Sequence, residues 1–131
     1  MKILLDTHVW IWHLQGSGNL PESLKAILAD PQTDLWVSPI SAWEAMMLAE
    51  KGKIRLEPNA GTCIRKALDT GNFKQAPLNM EVAIKSREVN LPHQDPADRF
   101  LAATALVYDI PLATVDTHLL QAKWLQTIPL K

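Results

Sequence analysis

The feature that most constrains this chain is a set of very short apolar runs, separated from one another by helical patterns. KILL (2–5), LWV (35–37), QAPL (75–78) and PLATV (111–115) lack polar alternation, and TIPL (127–130) is similar. A strand with no polar face is covered on both faces, which is the habit of parallel sheets. Between the runs lie segments with helix signals. Pro21 opens 21–29. Ser38 and Pro39 open 39–51, which exits at Gly52. Residues 59–70 carry Ala60, Cys63, Ile64, Ala67 and Leu68 at helical spacing and end at Gly71. Residues 80–89 are weaker, Asp95 and Pro96 open 96–108, and a short helix follows Asp116. Strands alternating with helices predict an α/β fold: a three-layer α/β/α sandwich with a four- to five-stranded parallel sheet and right-handed crossovers, forming one domain over 1–131.

With 131 residues, 47% of them hydrophobic, the chain can build a proper core. Its formal charge of −1 does not fit a strongly basic nucleic-acid binder. Any attraction for RNA or DNA has to come from a local field or a bound cation. Cys63 is the one cysteine, so no internal disulfide forms and a reducing cytosol fits. MKILLDTHVWIWHL has the look of a signal peptide, but Asp6, His8 and His13 interrupt it and no small-residue cleavage site follows. No apolar run approaches the roughly 20 residues that span a bilayer. A cytoplasmic protein without a membrane segment is expected.

Two of the apolar runs stop on the same tripeptide, in LLDTHVW (4–10) and TVDTHLL (114–120). Asp is a good helix N-cap, and capping accounts for either one alone. In open parallel sheets, however, ligands bind beyond the carboxyl ends of the strands, and Asp6 and Asp116 both sit at such ends. Capping does not require the two segments to meet there. Glu44 adds weight, because it shares a helix face with Ile40, Trp43, Met47 and Leu48, and a carboxylate facing a core needs a partner. Asp98 shares a stripe with Leu101, Ala102 and Ala105, while Asp95 reads as the cap of the same helix. Carboxylates crowded within about 4–6 Å cannot all stay ionised unaided. A hard divalent cation resolves the conflict. Mg²⁺ (or Mn²⁺), as one or two ions held by Asp6, Glu44, Asp98 and Asp116, suits an all-oxygen set facing a phosphate substrate, and no His/Cys cluster at zinc spacing competes. Such a site activates water against a phosphodiester.

In order along the chain, LLDTHVWIW, SAWEAMMLAEKGKI, DPADRFLAATA and LATVDTHL resemble a PIN-domain protein of the VapC-type toxin group. The resemblance spans essentially the whole chain. It implies a PIN-like fold that typically dimerises, a metal-dependent ribonuclease (tRNA among the candidate substrates), and a cognate antitoxin that occupies the acidic groove. It maps the acidic quartet onto Asp6, Glu44, Asp98 and Asp116, and a supporting Thr/Ser position onto Thr114. Thr7 and Asp95 are further supporting candidates. The alternatives are a structure-selective DNA nuclease of the related flap type, for which the chain is short, and an inactive PIN interaction module. An aspartyl phosphotransferase is weaker, since no second Asp stands two positions after Asp6.

His8 and His118 each follow a site Asp by two residues and are expected to be satisfied locally rather than to act as bases. Trp10, Trp12 and Trp43 flank the proposed site, with core or dimer interface the expected use. Lys51, Lys53 and Arg55 are candidate RNA-backbone contacts, against the plainer reading of a solvated helix end. Arg99 is expected to pair with Asp95 or with a partner's acidic group.

Overall fold

β1 (Lys2–Leu5) alternates its apolar side chains between two separate cores, which is why it needs no polar face. In the computed structural model, which describes residues 1–92 and 94–128, Ile3 and Leu5 join one cluster with Val9, Trp10, Leu24 and Leu48. Leu4 enters the other, with Leu101, Ala102, Leu112 and Leu119. All three β1 side chains are fully buried, worth roughly 1.5–3 kcal/mol each.

The other strands are β2 (Asp34–Val37), β3 (Phe73–Gln75) and β4 (Leu112–Ala113). They form a parallel sheet in the order β3-β2-β1-β4, with Leu4 opposite both Trp36 and Leu112. Among the described residues seven helices cover it: α1 (Thr7–Gln15), α2 (Glu22–Ala29), α3 (Pro39–Glu50), α4 (Ala60–Thr70), α5 (Met80–Glu88), α6 (Pro96–Tyr108) and α7 (Thr117–Gln121). The chain travels outward from β1 to β3, then returns past β1 to β4. Right-handed crossovers therefore set α1–α4 on one face and α5 and α6 on the other, and the two apolar clusters divide accordingly. The direction of travel reverses between β1 and β4. That reversal is where an open sheet leaves a crevice at the carboxyl ends of its strands. The three-layer α/β/α expectation holds.

Several boundaries differ. The strand expected at 75–78 lies at Phe73–Gln75 with Ala76 still bonded to Val37, because Pro77 has no N–H to continue the ladder. The strand expected at 111–115 is only Leu112–Ala113, since the chain turns at Thr114 toward α7. Of the run 127–130, Thr127 makes a parallel bridge to Leu112, with the Ile128 amide donating to the Leu112 carbonyl at 3.0 Å; 129 and 130 lie outside the described residues. Helix α1 was not among the expected helices. Its apolar residues run unbroken from Val9 to Trp12 and hide any stripe, yet Asp6 caps it and Gly16, at φ 61°, closes it. No helix among the described residues is long and apolar enough to cross a membrane.

Candidate metal centre

Asp6 is the first residue past β1, and its backbone amide still donates to the Ala113 carbonyl of β4 at 3.0 Å. That bond brings Asp6 beside Thr114, a residue 108 positions away. The buried Thr114 hydroxyl donates to Asp6 Oδ2 at 2.6 Å, and its oxygen accepts from the Asp116 amide at 3.0 Å. Asp6 Oδ1 accepts from the Thr7 amide at 2.7 Å. Both oxygens of Asp6 are thus fixed, and one hydroxyl joins the ends of β1 and β4. Asp116 caps α7, its Oδ1 accepting from the Leu119 amide at 3.1 Å. The two DTH segments meet, and both also cap helices: capping and convergence are the same geometry.

Glu44 reaches the crevice from α3, but not by the stripe expected. Ile40 and Leu48 are buried, whereas Trp43 is 51% exposed and Met47 half-buried. The buried face runs through Ile40, Ser41, Ala45 and Leu48, turned toward α1, where the Thr7 hydroxyl donates to Ser41 Oγ at 3.0 Å. Glu44 lies half-buried beside that face, one turn beyond Ser41. Thr7 therefore supports the site twice, by its amide to Asp6 and by its hydroxyl to α3. Ser41 escaped sequence reading; a Ser in the middle of an otherwise apolar helix face was the available signal.

Asp98 stands in the first turn of α6, half-buried, with Leu101, Ala102 and Ala105 buried along its stripe. Asp95 is the exposed N-cap, accepting from the Asp98 amide at 3.2 Å. Arg99 corrects its expected role. It is buried, and its guanidinium donates to the carbonyls of Ser86 (2.9 Å), Arg87 (3.3 Å) and Val89 (2.8 Å) at the end of α5. A fixed cation there complements the negative end of α5 and holds the first turn of α6 in place.

Electrostatics tie these residues together. Burial is the main force that pushes Asp6 up to about 6; the Thr114 and Thr7 hydrogen bonds oppose it, and Glu44 adds to it. Asp98 is pushed up to about 8, first by burial, then by the negative charges of Asp6, Asp95, Asp116 and Glu44. The four carboxylates from four segments thus share one field, in which burial and mutual repulsion leave Asp98 protonated near neutrality and Asp6 more readily protonated than an ordinary carboxylate. Among the described residues no three acidic, His or Cys side chains close around a point as a bare-ion cage does. An all-oxygen, anionic donor set is the kind that Mg²⁺ and Mn²⁺ take, with waters completing their coordination.

The remaining candidates lie at or beyond the rim. His118 Nδ1 stands 3.9 Å from Asp116 Oδ1, and exposed His8 packs its ring on Trp12 at 6.0 Å. Trp10 is fully buried core and Trp12 half-buried. Lys51, Lys53 and Arg55 are exposed beyond the end of α3, with Arg55 paired to Glu57. Lys51 is seven residues from Glu44, roughly 10 Å along a helix axis. A cavity of about 320 Å³, lined by Trp10, Pro39, Leu68 and Phe73 among others, includes none of the four acids. Chemistry, rather than size, identifies the site.

A family model for the PIN domain matches residues 3–125. No curated protein sequence matches the chain. Solved structures with the same fold include VapBC2 from Rickettsia felis bound to a DNA fragment from its promoter (14% identity, 98% of each chain covered, TM-score 0.70). They also include FitAcB from Neisseria gonorrhoeae (21% identity, 97% of this chain and 96% of that one, TM-score 0.66). A third is VapBC-1 from nontypeable Haemophilus influenzae (21% identity, 98% and 97%, TM-score 0.65).

Proposed function

Because the chain belongs to the PIN-domain family, whose members are nucleases, we propose that it is a metal-dependent ribonuclease and the toxin of a type II toxin–antitoxin pair. One observation carries the reading: the Asp6–Thr114–Asp116 hydrogen-bonded link at the sheet reversal, with Glu44 and Asp98 in the same field. When bound, Mg²⁺ or Mn²⁺ supplies positive charge to the phosphate oxygens and makes a water nucleophilic near neutral pH. The protein's part is orientation. Asp6 is the rigid ligand, locked at both oxygens. Asp98 and Asp116 complete the ligand set, and Glu44 is a further ligand or positions the attacking water. Asp95 and Thr7 hold these groups from behind by capping and by the bond to Ser41.

The toxin reading draws support from the likeness to VapBC and FitAcB structures. It brings with it a cytoplasmic protein, a homodimer, and an antitoxin that lays an Arg or Lys into the acidic groove. Lys51, Lys53 and Arg55 are assigned to outlying contacts with the RNA backbone. The test is purified protein incubated with total RNA, with and without Mn²⁺, cut sites being mapped by end sequencing; labelled tRNA and a flapped DNA run alongside. RNA cleavage that needs the metal and disappears in a folded Asp6→Asn variant is expected. Cleavage of the flap alone, or equal cleavage by Asp6→Asn, refutes the reading.

A further inference from the structure

A second cleft, of about 270 Å³, opens beside the acids and takes no part in holding them. Its walls include Asn90, Pro92, His118, Gln121, Lys123 and Trp124. The cleft is joined to the acidic site through His118, whose ring lies in the cleft wall with Nδ1 3.9 Å from Asp116 Oδ1. One imidazole therefore stands between the cleft and the Asp116 carboxylate.

We propose that this cleft is a nucleotide subsite, receiving one unpaired nucleotide of single-stranded RNA next to the scissile phosphate. The proposal rests on the nuclease reading above and names where its substrate is gripped. The chemistry of the walls matches the parts of a nucleotide. Trp124 lines the cleft and is 36% exposed, although an indole gains most from burial; an exposed aromatic ring in a cleft wall is a platform for a base, and stacking tolerates any base. Lys123, exposed beside it, supplies the cation that a backbone phosphate needs. Asn90 and Gln121 each offer both a donor and an acceptor to base edges. A volume of this order holds one nucleotide and no folded partner. The acidic quartet repels a polyanion, and the chain's net charge of −1 does nothing to offset that. A cation and a stacking platform next to the acids supply attraction where the substrate requires it.

The test is anisotropy of a fluorescein-labelled, mixed-sequence single-stranded RNA heptamer with Ca²⁺ replacing Mn²⁺, together with steady-state cleavage in Mn²⁺. Trp124→Leu is expected to raise both Kd and KM roughly 5- to 150-fold, the span that loss of one stacked base gives. It leaves kcat and Mn²⁺ affinity unchanged, and Trp124→Phe recovers most of the loss. Lys123→Ala lowers the slope of log affinity against log salt by about one. Wild-type Kd and KM in both Trp124→Leu and Lys123→Ala overturn the subsite while leaving the nuclease intact. A wild-type protein that neither binds nor cuts RNA overturns both. If thermal melting shows Trp124→Leu unfolded, Lys123→Ala and Gln121→Ala, both on exposed residues, decide the matter by the same measurements.

Discussion

Replacing Thr114 by Val keeps the side chain's shape and removes the hydroxyl that spans Asp6 and Asp116. The buried Asp6 carboxylate and the half-buried Asp116 amide then lose a partner, at a cost of about 1–3 kcal/mol in urea unfolding. The loss of a group that orients a ligand predicts a Mn²⁺ affinity weaker by roughly 10- to 100-fold in calorimetry. An affinity equal to wild type would make Thr114 merely structural. The carboxyl groups also fix how stability varies with pH. Asp98, at about 8, and Asp6, at about 6, both lie above their usual 3.8, so without metal the folded state keeps protons that the unfolded chain releases. Their contribution to stability is complete below about pH 4 and is lost as pH rises through 6 and 8. Melting in EDTA should therefore drop between about pH 5 and pH 8, and saturating Mn²⁺ should flatten the decline; a rise with pH in EDTA contradicts the field described here. Asp6 and Asp116 were legible because each ends an apolar run. Arg99 is expected from the sequence to pair with Asp95 or a partner's acidic group, and its bonds to the carbonyls of α5 had no sequence signal. Buried carbonyls at the end of another helix are invisible to spacing.

Most helices whose ends carry a cap were legible, α1 excepted, because its unbroken apolar run hides the stripe. Ser38, Asn59, Asn79, Asp95 and Asp116 all accept from a backbone amide within the next three residues. Interiors were harder. The stripe read through Trp43 fails because α3 turns its Ser41 face to α1 rather than burying its largest residue. Two predictions belong to this scale. Arg99→Met strands carbonyls at the end of α5 and loosens the α5–α6 pair; about 3 kcal/mol or more should be lost in urea, only partly restored by Lys, which lacks the guanidinium fork. Unfolding unchanged within 1 kcal/mol, on the order of a single ordinary hydrogen bond, would remove Arg99 from the frame. Gly71 has an ordinary negative φ, so its small size is what matters: a Cβ there would press on the Phe73 ring and come 2.8 Å from the Ala67 carbonyl oxygen. Gly71→Ala should cost about 1–3 kcal/mol by chemical denaturation, as overpacking does.

At the scale of the molecule, fold class was readable because doubly covered strands leave a distinctive apolar signature, and strand order was not. Nothing in KILL or PLATV says that β4 returns beside β1 instead of adding beyond β3. Yet this return creates the site, since it alone sets Thr114 against Asp6. Sequence reasoning reached the site by a different route, from carboxylates that needed a common counter-charge. The same need gives the most direct measurement: calorimetric titration of Mn²⁺ into the metal-free protein near pH 7, in two buffers of different ionisation enthalpy. Binding that expels about one proton, mainly from Asp98, and that is lost in folded Asp6→Asn is the result predicted. Absence of binding, or binding without proton release that Asp6→Asn leaves intact, would contradict the account.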